Sequence, residues 1–161
     1  MTGSDGYASI MSSDFEIRKL LAEDLSEVVD IERQCQSHPW SEAVFRDCFR
    51  DNYYLWAACH GDRLVGYAVV AYFVDEAHLL NLCVHPRCQG QGAGRLLLRH
   101  LMARALREGI QQIILEVRVS NQLASKLYAS EGFDVIGQRP GYYPSAGGRE
   151  DAQVMAFSIV R

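Results

Sequence analysis

Gly90, Gly92 and Gly94 alternate with Gln91 and Ala93 between an apolar run, Leu82-Cys83-Val84, and a leucine-rich segment, Leu96-Leu97-Leu98. Residues without side chains let backbone N–H groups turn toward a common point. A helix beginning near Gly94 adds unpaired N-terminal amides and the positive end of its dipole. The chemistry such a turn offers is the holding of a phosphate or pyrophosphate. His85-Pro86 closes the preceding strand, because proline has no N–H for a sheet and restricts the residue before it. Two familiar phosphate loops are excluded. There is no G-x-x-x-x-G-K-[ST], and Arg95 stands where the dinucleotide fingerprint needs glycine. The spacing that fits is Q-x-x-G-x-G at Gln89, Gly92 and Gly94. A tight strand-to-helix turn with no ligand would use the same glycines, so both readings stay open.

The elements that would position this turn follow from periodicity. Phe15, Ile17 and Leu21 begin a short strand, and Glu23 to Cys35 has the apolar face of a helix. Ser37-His-Pro-Trp40 breaks it, and Ser41 is an N-cap for a second short helix through Val44, Phe45 and Phe49. Tyr54 to His60 and Arg63 to Phe73 form a hairpin about Gly61-Asp62, and Ala77 to Val84 leads into the glycine turn. The helix from Gly94 to Glu108 ends at Gly109. Gln111 to Val119 alternates: Ile113, Leu115, Val117 and Val119 face one way, Gln112, Ile114, Glu116 and Arg118 the other. Ser120 caps a helix through Ser130, Phe133 to Gln138 is a strand, Arg139 to Asp151 a long loop, and Ala152 to Ile159 a final strand. This order predicts a mixed α/β sheet covered by helices on both faces.

Length and composition bound the possibilities. The 161 residues suffice for one domain with a real core, expected over 14–161 behind a Gly/Ser-rich leader, 1–13, in which Met11 is a second possible start. A net charge of −4 argues against a general nucleic-acid binder and suits a cationic substrate such as an amine. The five cysteines form no C-x-x-C, which predicts a reducing, cytoplasmic setting and no metal site. No apolar run is long enough to span a membrane.

Four features together resemble a known family. Gln89-Gly-Gln-Gly-Ala-Gly94 after Leu82-Cys83-Val84 looks like the acetyl-CoA loop of the GCN5-related N-acetyltransferases (GNAT). Leu115-Glu-Val-Arg-Val-Ser-Asn-Gln-Leu-Ala-Ser-Lys-Leu-Tyr128, followed by Glu131-Gly-Phe133, resembles the signature of their N-terminal protein acetyltransferases. Arg139-Pro-Gly-Tyr-Tyr-Pro144, with Gly148-Arg-Glu-Asp-Ala152, and His38-Pro-Trp-Ser-Glu42 resemble the RimI branch. That branch acetylates the N-terminal alanine of a small-subunit ribosomal protein. The likeness runs from about Phe15 to the C-terminus. It implies a GNAT fold with a mostly antiparallel twisted sheet, acetyl-CoA as co-substrate, no metal, and the N-terminal segment of a ribosomal protein as partner. Within enzymes, a broader N-terminal or small-amine acetyltransferase stays open; outside them, a silent CoA-binding sensor.

Roles can then be assigned. An α-amine, with a pKa of about 7.7–8.0, must lose its proton to become a nucleophile. Glu116 is the candidate base; alternatively it pairs with Arg118 or another cation. Tyr128, a phenol of pKa about 10, can donate to a leaving thiolate, or simply plug the core. The cofactor site comprises Leu82, Cys83, Val84, Gln89, Gly90, Gln91, Gly92, Ala93, Gly94, Arg95 and Asn121. The N–H of Cys83 or Val84 would meet the oxyanion, and Asn121 either meets the cofactor or starts a helix. Arg87, Arg95 and Arg99 are candidates for the adenosine phosphate, although arginines on a wet helix face are commonly just solvated, the reading favoured for Arg99. Tyr142 and Tyr143 gate the substrate or pack the loop. Cys83 and Cys88 near the turn raise a covalent acetyl-enzyme, but no histidine–carboxylate pair is readable beside them, so direct transfer is expected.

Overall fold

The structure is a computed structural model and describes residues 14–159. The expected leader, 1–13, lies outside the described residues. The strands are β1 (Phe15–Lys19), β2 (Tyr53–His60), β3 (Arg63–Phe73), β4 (Glu76–Val84), β5 (Gln112–Arg118), β6 (Asp134–Ser145) and β7 (Gly148–Ser158). The helices are α1 (Leu25–Cys35), α2 (Glu42–Asp47), α3 (Ala93–Arg107) and α4 (Gln122–Ser130). The strands form one seven-stranded sheet in the order β1-β2-β3-β4-β5-β7-β6. β1 with β2, β5 with β7, and β6 with β7 pair antiparallel, whereas β4 with β5 is parallel. The element order is the one periodicity predicts, and the sheet is mixed.

The described residues divide into two compact units, 14–70 with 81–101 and 71–80 with 102–159. In the first, Leu25, Val28 and Ile31 of α1 and Phe45 of α2 pack with Leu55, Leu64, Tyr67 and Val69 of β2 and β3 in one buried cluster. Phe45 meets the Tyr67 ring edge-on at 5.6 Å. Ser41 caps α2 as expected, its Oγ accepting the Val44 N–H at 3.3 Å. β1 is tied to the turn before α1 by Arg18, whose two terminal nitrogens meet Asp24 Oδ2 at 2.8 Å and Oδ1 at 2.9 Å. Oδ2 also accepts the Leu21 N–H at 2.7 Å.

The Arg18 guanidinium holds the Asp24 carboxyl below its ordinary 3.8. Asp24→Asn should therefore cost about 1–2 kcal/mol at neutral pH, nearer the lower figure because Arg18 is partly exposed. A depressed folded-state pKa gives stability that is full above 3.8 and lost as pH falls through the lower folded value. Urea melts of both proteins should thus differ at neutral pH and converge in strong acid. An equal difference at both would exclude the ion pair as its source.

In the second unit the alternation of β5 is as expected, with Ile113, Leu115 and Val117 buried and Glu116 half-buried. Tyr128 of α4 stacks near Phe133 at 5.8 Å, and Phe133 near Phe157 at 5.6 Å. Two expectations change here. Asn121, not Ser120, caps α4: its Oδ1 accepts the Ala124 N–H at 3.2 Å, while the Ser120 N–H goes to Glu150 Oε2 at 2.8 Å. The stretch from Arg139 to Asp151 is no loop. It forms most of a hairpin, β6 turning into β7, with a bulge where the register moves from Arg139↔Ala152 to Tyr143↔Glu150. The bulge takes up Pro140 and Gly141, the latter at φ +59°.

Candidate active site

The glycine turn belongs to the first unit. β4 ends at Val84, and His85 N–H bonds Val65 O at 2.7 Å. His85 Nδ1 then accepts the Arg87 N–H at 3.1 Å, starting a short 3-10 turn, Pro86–Cys88. Gly90 and Gly92 follow at φ +77° and +95°, a region L-residues with side chains rarely enter. A Cβ built on either meets nothing within 4 Å, so the space above the turn is open. The α3 ladder is joined by Leu96 N–H to Gly92 O at 2.9 Å, which leaves the Ala93 and Gly94 N–H groups without an i−4 partner inside the helix. Gln91 Oε1 is buried without a hydrogen-bond partner among the described residues. Gln89 is committed to the protein, its amide donating to Val84 O at 3.0 Å. Arg95 is half-buried in the first turn of α3. Open space and adjacent unpaired amides fit an anionic ligand.

The alternation of strand hydrogen bonds separates the N–H of Cys83 from that of Val84. Since His85 N–H points at β3, those of Leu82 and Val84 point the opposite way. β4 pairs with β5 from Glu76↔Gln112 to Leu79↔Leu115 and runs on to Val84 beyond the last pair. Val84, rather than Cys83, presents its N–H to that edge. Cys83 is buried, and its thiol donates to Asn81 Oδ1 at 3.3 Å and approaches Glu32 Oε1 at 3.6 Å. Contact with Cys35, burial and the Glu32 carboxylate push that thiol up, out of the thiolate range. Burial raises Cys88 likewise. Neither is the thiolate a covalent acyl-enzyme needs.

The second unit holds the carboxylate. Glu116 Oε1 accepts the Tyr142 hydroxyl at 3.2 Å, and Arg139 Nε lies 2.5 Å from Oε2. Oε2 is buried against that guanidinium and has no other partner among the described residues. Arg118 is occupied elsewhere: it pairs with Glu150 at 3.2 Å, donates to Pro144 O at 2.9 Å, and lies over the Tyr143 ring at 4.5 Å. Burial, then the Glu116 charge, raise both phenols, Tyr143 to about 12, so each stays a proton donor at neutral pH. The bulge that carries Tyr142 is fastened at two points. Asp151 Oδ1 accepts the Gly141 N–H at 2.8 Å, and Arg149 donates to Gly141 O at 2.8 Å and Tyr142 O at 3.0 Å. Tyr142 and Tyr143 meet edge-on at 4.9 Å, with Tyr142 43 % exposed. Tyr128 is buried in α4, as a core tyrosine would be. Asn121 uses Oδ1 for its cap.

One buried charge escaped sequence reasoning. Glu32 of α1 is 1 % exposed, and its Oε1 accepts the Tyr67 hydroxyl at 2.6 Å and Asn81 Nδ2 at 3.0 Å. Its Oε2 accepts the Trp40 N–H at 3.0 Å. The available signal was its place: it follows Val28 at i+4 and Val29 at i+3, on the buried stripe of α1. No cluster of three or more His, Cys, Asp or Glu among the described residues is placed to hold a metal. Nor is any helix among them long and apolar enough to cross a membrane.

The acetyltransferase (GNAT) family matches residues 23–133. The [ribosomal protein bS18]-alanine N-acetyltransferase of Escherichia coli strain K12 is 38% identical over 143 residues, covering 89% of this chain and 97% of that protein. Its counterpart in Salmonella typhimurium is 39% identical over 136 residues, covering 84% and 92%. The crystal structure of the ribosomal-protein-S18-alanine N-acetyltransferase from Escherichia coli superposes with a TM-score of 0.87 at 37% identity, covering 91% of this chain and 95% of that one. A family match over most of the chain and relatives matched along nearly their whole length point the same way: the chain belongs to the acetyltransferase (GNAT) family.

Proposed function

We propose that this protein transfers the acetyl group of acetyl-CoA to the N-terminal α-amine of a protein, and that its substrate is the N-terminal alanine of ribosomal protein bS18. The observation that carries the reading is the 38% identity to an enzyme of that name along 97% of its length. The glycine turn fits the co-substrate's pyrophosphate through its amides, and Leu82 and Val84 offer N–H groups to pantetheine and thioester. Arg87 and Arg95 suit the adenosine phosphate. Asn121 contributes through the part of its amide that the cap leaves unused.

Transfer is direct. The Glu116 carboxylate takes the proton from the α-ammonium, and the neutral nitrogen then forms the new C–N bond at the thioester carbonyl. The Val84 N–H stabilises the oxyanion, the nitrogen gives its second proton to solvent as the C–S bond breaks, and Tyr128 gives the departing sulfur a proton and regains one from solvent. Tyr142 and Tyr143, held on the bulge, narrow the entrance so that an extended N-terminus fits better than a lysine side chain. A ribosomal substrate places the reaction in the cytoplasm.

The test is transfer from labelled acetyl-CoA to two peptides, located by mass spectrometry. One carries the bS18 N-terminus with alanine first; the other has a blocked N-terminus and a free internal lysine. Label on the free α-amine alone is the expected result. Label on lysine, or on a small amine only, would replace the reading with a broader acetyltransferase. Tight acetyl-CoA binding with no transfer would leave a cofactor sensor.

A further inference from the structure

The last turn of α1 grips the strand assigned to acetyl-CoA at three points. Glu32 and Cys35 stand at i and i+3 on one face of the helix, and Gln36 follows as its extended C-cap, its N–H bonded to Glu32 O. Glu32 Oε1 accepts from Asn81 and meets the Cys83 thiol. The Cys35 thiol donates to Val84 O at 3.2 Å, and the Gln36 amide donates to Cys83 Sγ at 3.2 Å. From β3, Gly66 comes so near that a Cβ there would stand 2.7 Å from Cys83 O. The Gln89 amide also takes Val84 O. The backbone at Cys83 and Val84 is therefore held from the helix, from the neighbouring strand and from the glycine turn. Packing alone does not explain this. A carboxylate removed from water costs several kcal/mol, and an apolar residue of similar volume would fill the space at least as well.

We propose that Glu32, Cys35 and Gln36 are positioning residues for acetyl transfer. Cys35 fixes the peptide plane after Val84 through its carbonyl, and Glu32 and Gln36 fix the Asn81 and Cys83 side chains before it, so that the Val84 N–H keeps its aim at the thioester oxygen. None of them touches a reacting atom. The inference rests on the reading that Leu82–Val84 holds acetyl-CoA. Its physical basis is that oxyanion donors act by being preorganised, so a donor set slightly off its line loses part of its effect without any loss of cofactor contacts elsewhere.

Glu32→Gln is nearly isosteric, yet its amide must set an N–H against either the Trp40 N–H or the donors of Tyr67 and Asn81. Wild-type transfer to the bS18 peptide is measured first, and turnover is then normalised to CoA-binding sites by titration. For Glu32→Gln we expect turnover per site to fall about tenfold, part of the 10²–10³ that loss of a whole oxyanion donor costs, with CoA affinity and peptide KM within about twofold. A purely structural role would reduce the number of binding sites and leave turnover at each unchanged. Gln36→Leu is half-buried and removes only the bond to Cys83 Sγ. It should fold normally and lose about threefold per site, and it decides the matter if Glu32→Gln does not fold. Wild-type turnover per site in the folded variants overturns the inference. A wild type that acetylates no α-amine overturns the proposed function, and this inference with it.

Discussion

Glu116→Gln should lower kcat/KM on a peptide α-amine by about 10²- to 10⁴-fold, the range a positioned general base contributes. The substitution keeps shape and the Tyr142 contact: the amide oxygen can still accept the phenol that now lies 3.2 Å from Oε1. What it removes is the negative charge, because an amide nitrogen replaces the second oxygen, Oε2, which lies buried against Arg139. An amide nitrogen there cannot take a proton. Stability should move little, since Arg139 is largely exposed and exposed pairs contribute about 0–1 kcal/mol. The pH dependence separates a base from a mere anchor. With the base gone, the remaining rate should follow deprotonation of the free amine, about 7.7–8.0, and should rise with pH through that range. Unchanged turnover at neutral pH would remove Glu116 from the mechanism. So would an equal loss at all pH values accompanied by a raised peptide KM, which would make it a binding group.

Much of this was readable from local pattern. The alternation through Gln112–Arg118 put Glu116 on the face opposite the buried row, because a strand buried on one side shows its period directly. The glycine turn was readable because its glycines sit where positive φ is needed, at Gly90 and Gly92. The hairpin of β6 and β7 was not, for a definite reason. Pro140, Gly141, Pro144, Gly147 and Gly148 carry the composition of a loop, and β6 is exposed along most of its length, so no buried face marks it as a strand. Pairing with β7 overrides that local preference. The consequence reaches the site. Arg139 and Tyr142 meet Glu116 only through the register of β5, β7 and β6, which brings together positions 23 and 26 residues apart. No periodicity reports such a contact, so the partner of Glu116 was open between Arg118 and another cation until the register was known. Arg149, Glu150 and Asp151 divide for the same reason. The first and third fasten the bulge, and Glu150 serves Arg118 and the Ser120 N–H.

The second large effect is expected at Tyr128, whose burial in α4 is equally what a core tyrosine would show. Tyr128→Phe keeps the ring and its 5.8 Å neighbour Phe133, so the loss in stability should be about 0.5–1.5 kcal/mol, that of one hydrogen bond. Turnover should fall about 10²-fold, the lower end for a general acid, with acetyl-CoA affinity nearly unchanged. A fall in rate alone could come from a shifted ring. The leaving group discriminates, because a thiolate of lower pKa departs with less help from an acid. An acetyl thioester of a more acidic CoA analogue should therefore recover much of the lost rate in Tyr128→Phe and gain little in the wild type. The same test applied to Glu116→Gln should give no recovery, because the base acts on the amine and not on the sulfur. If Tyr128→Phe responds to the leaving group no more than the wild type does, the phenol is a packing residue. Protonation of the thiolate must then come from solvent.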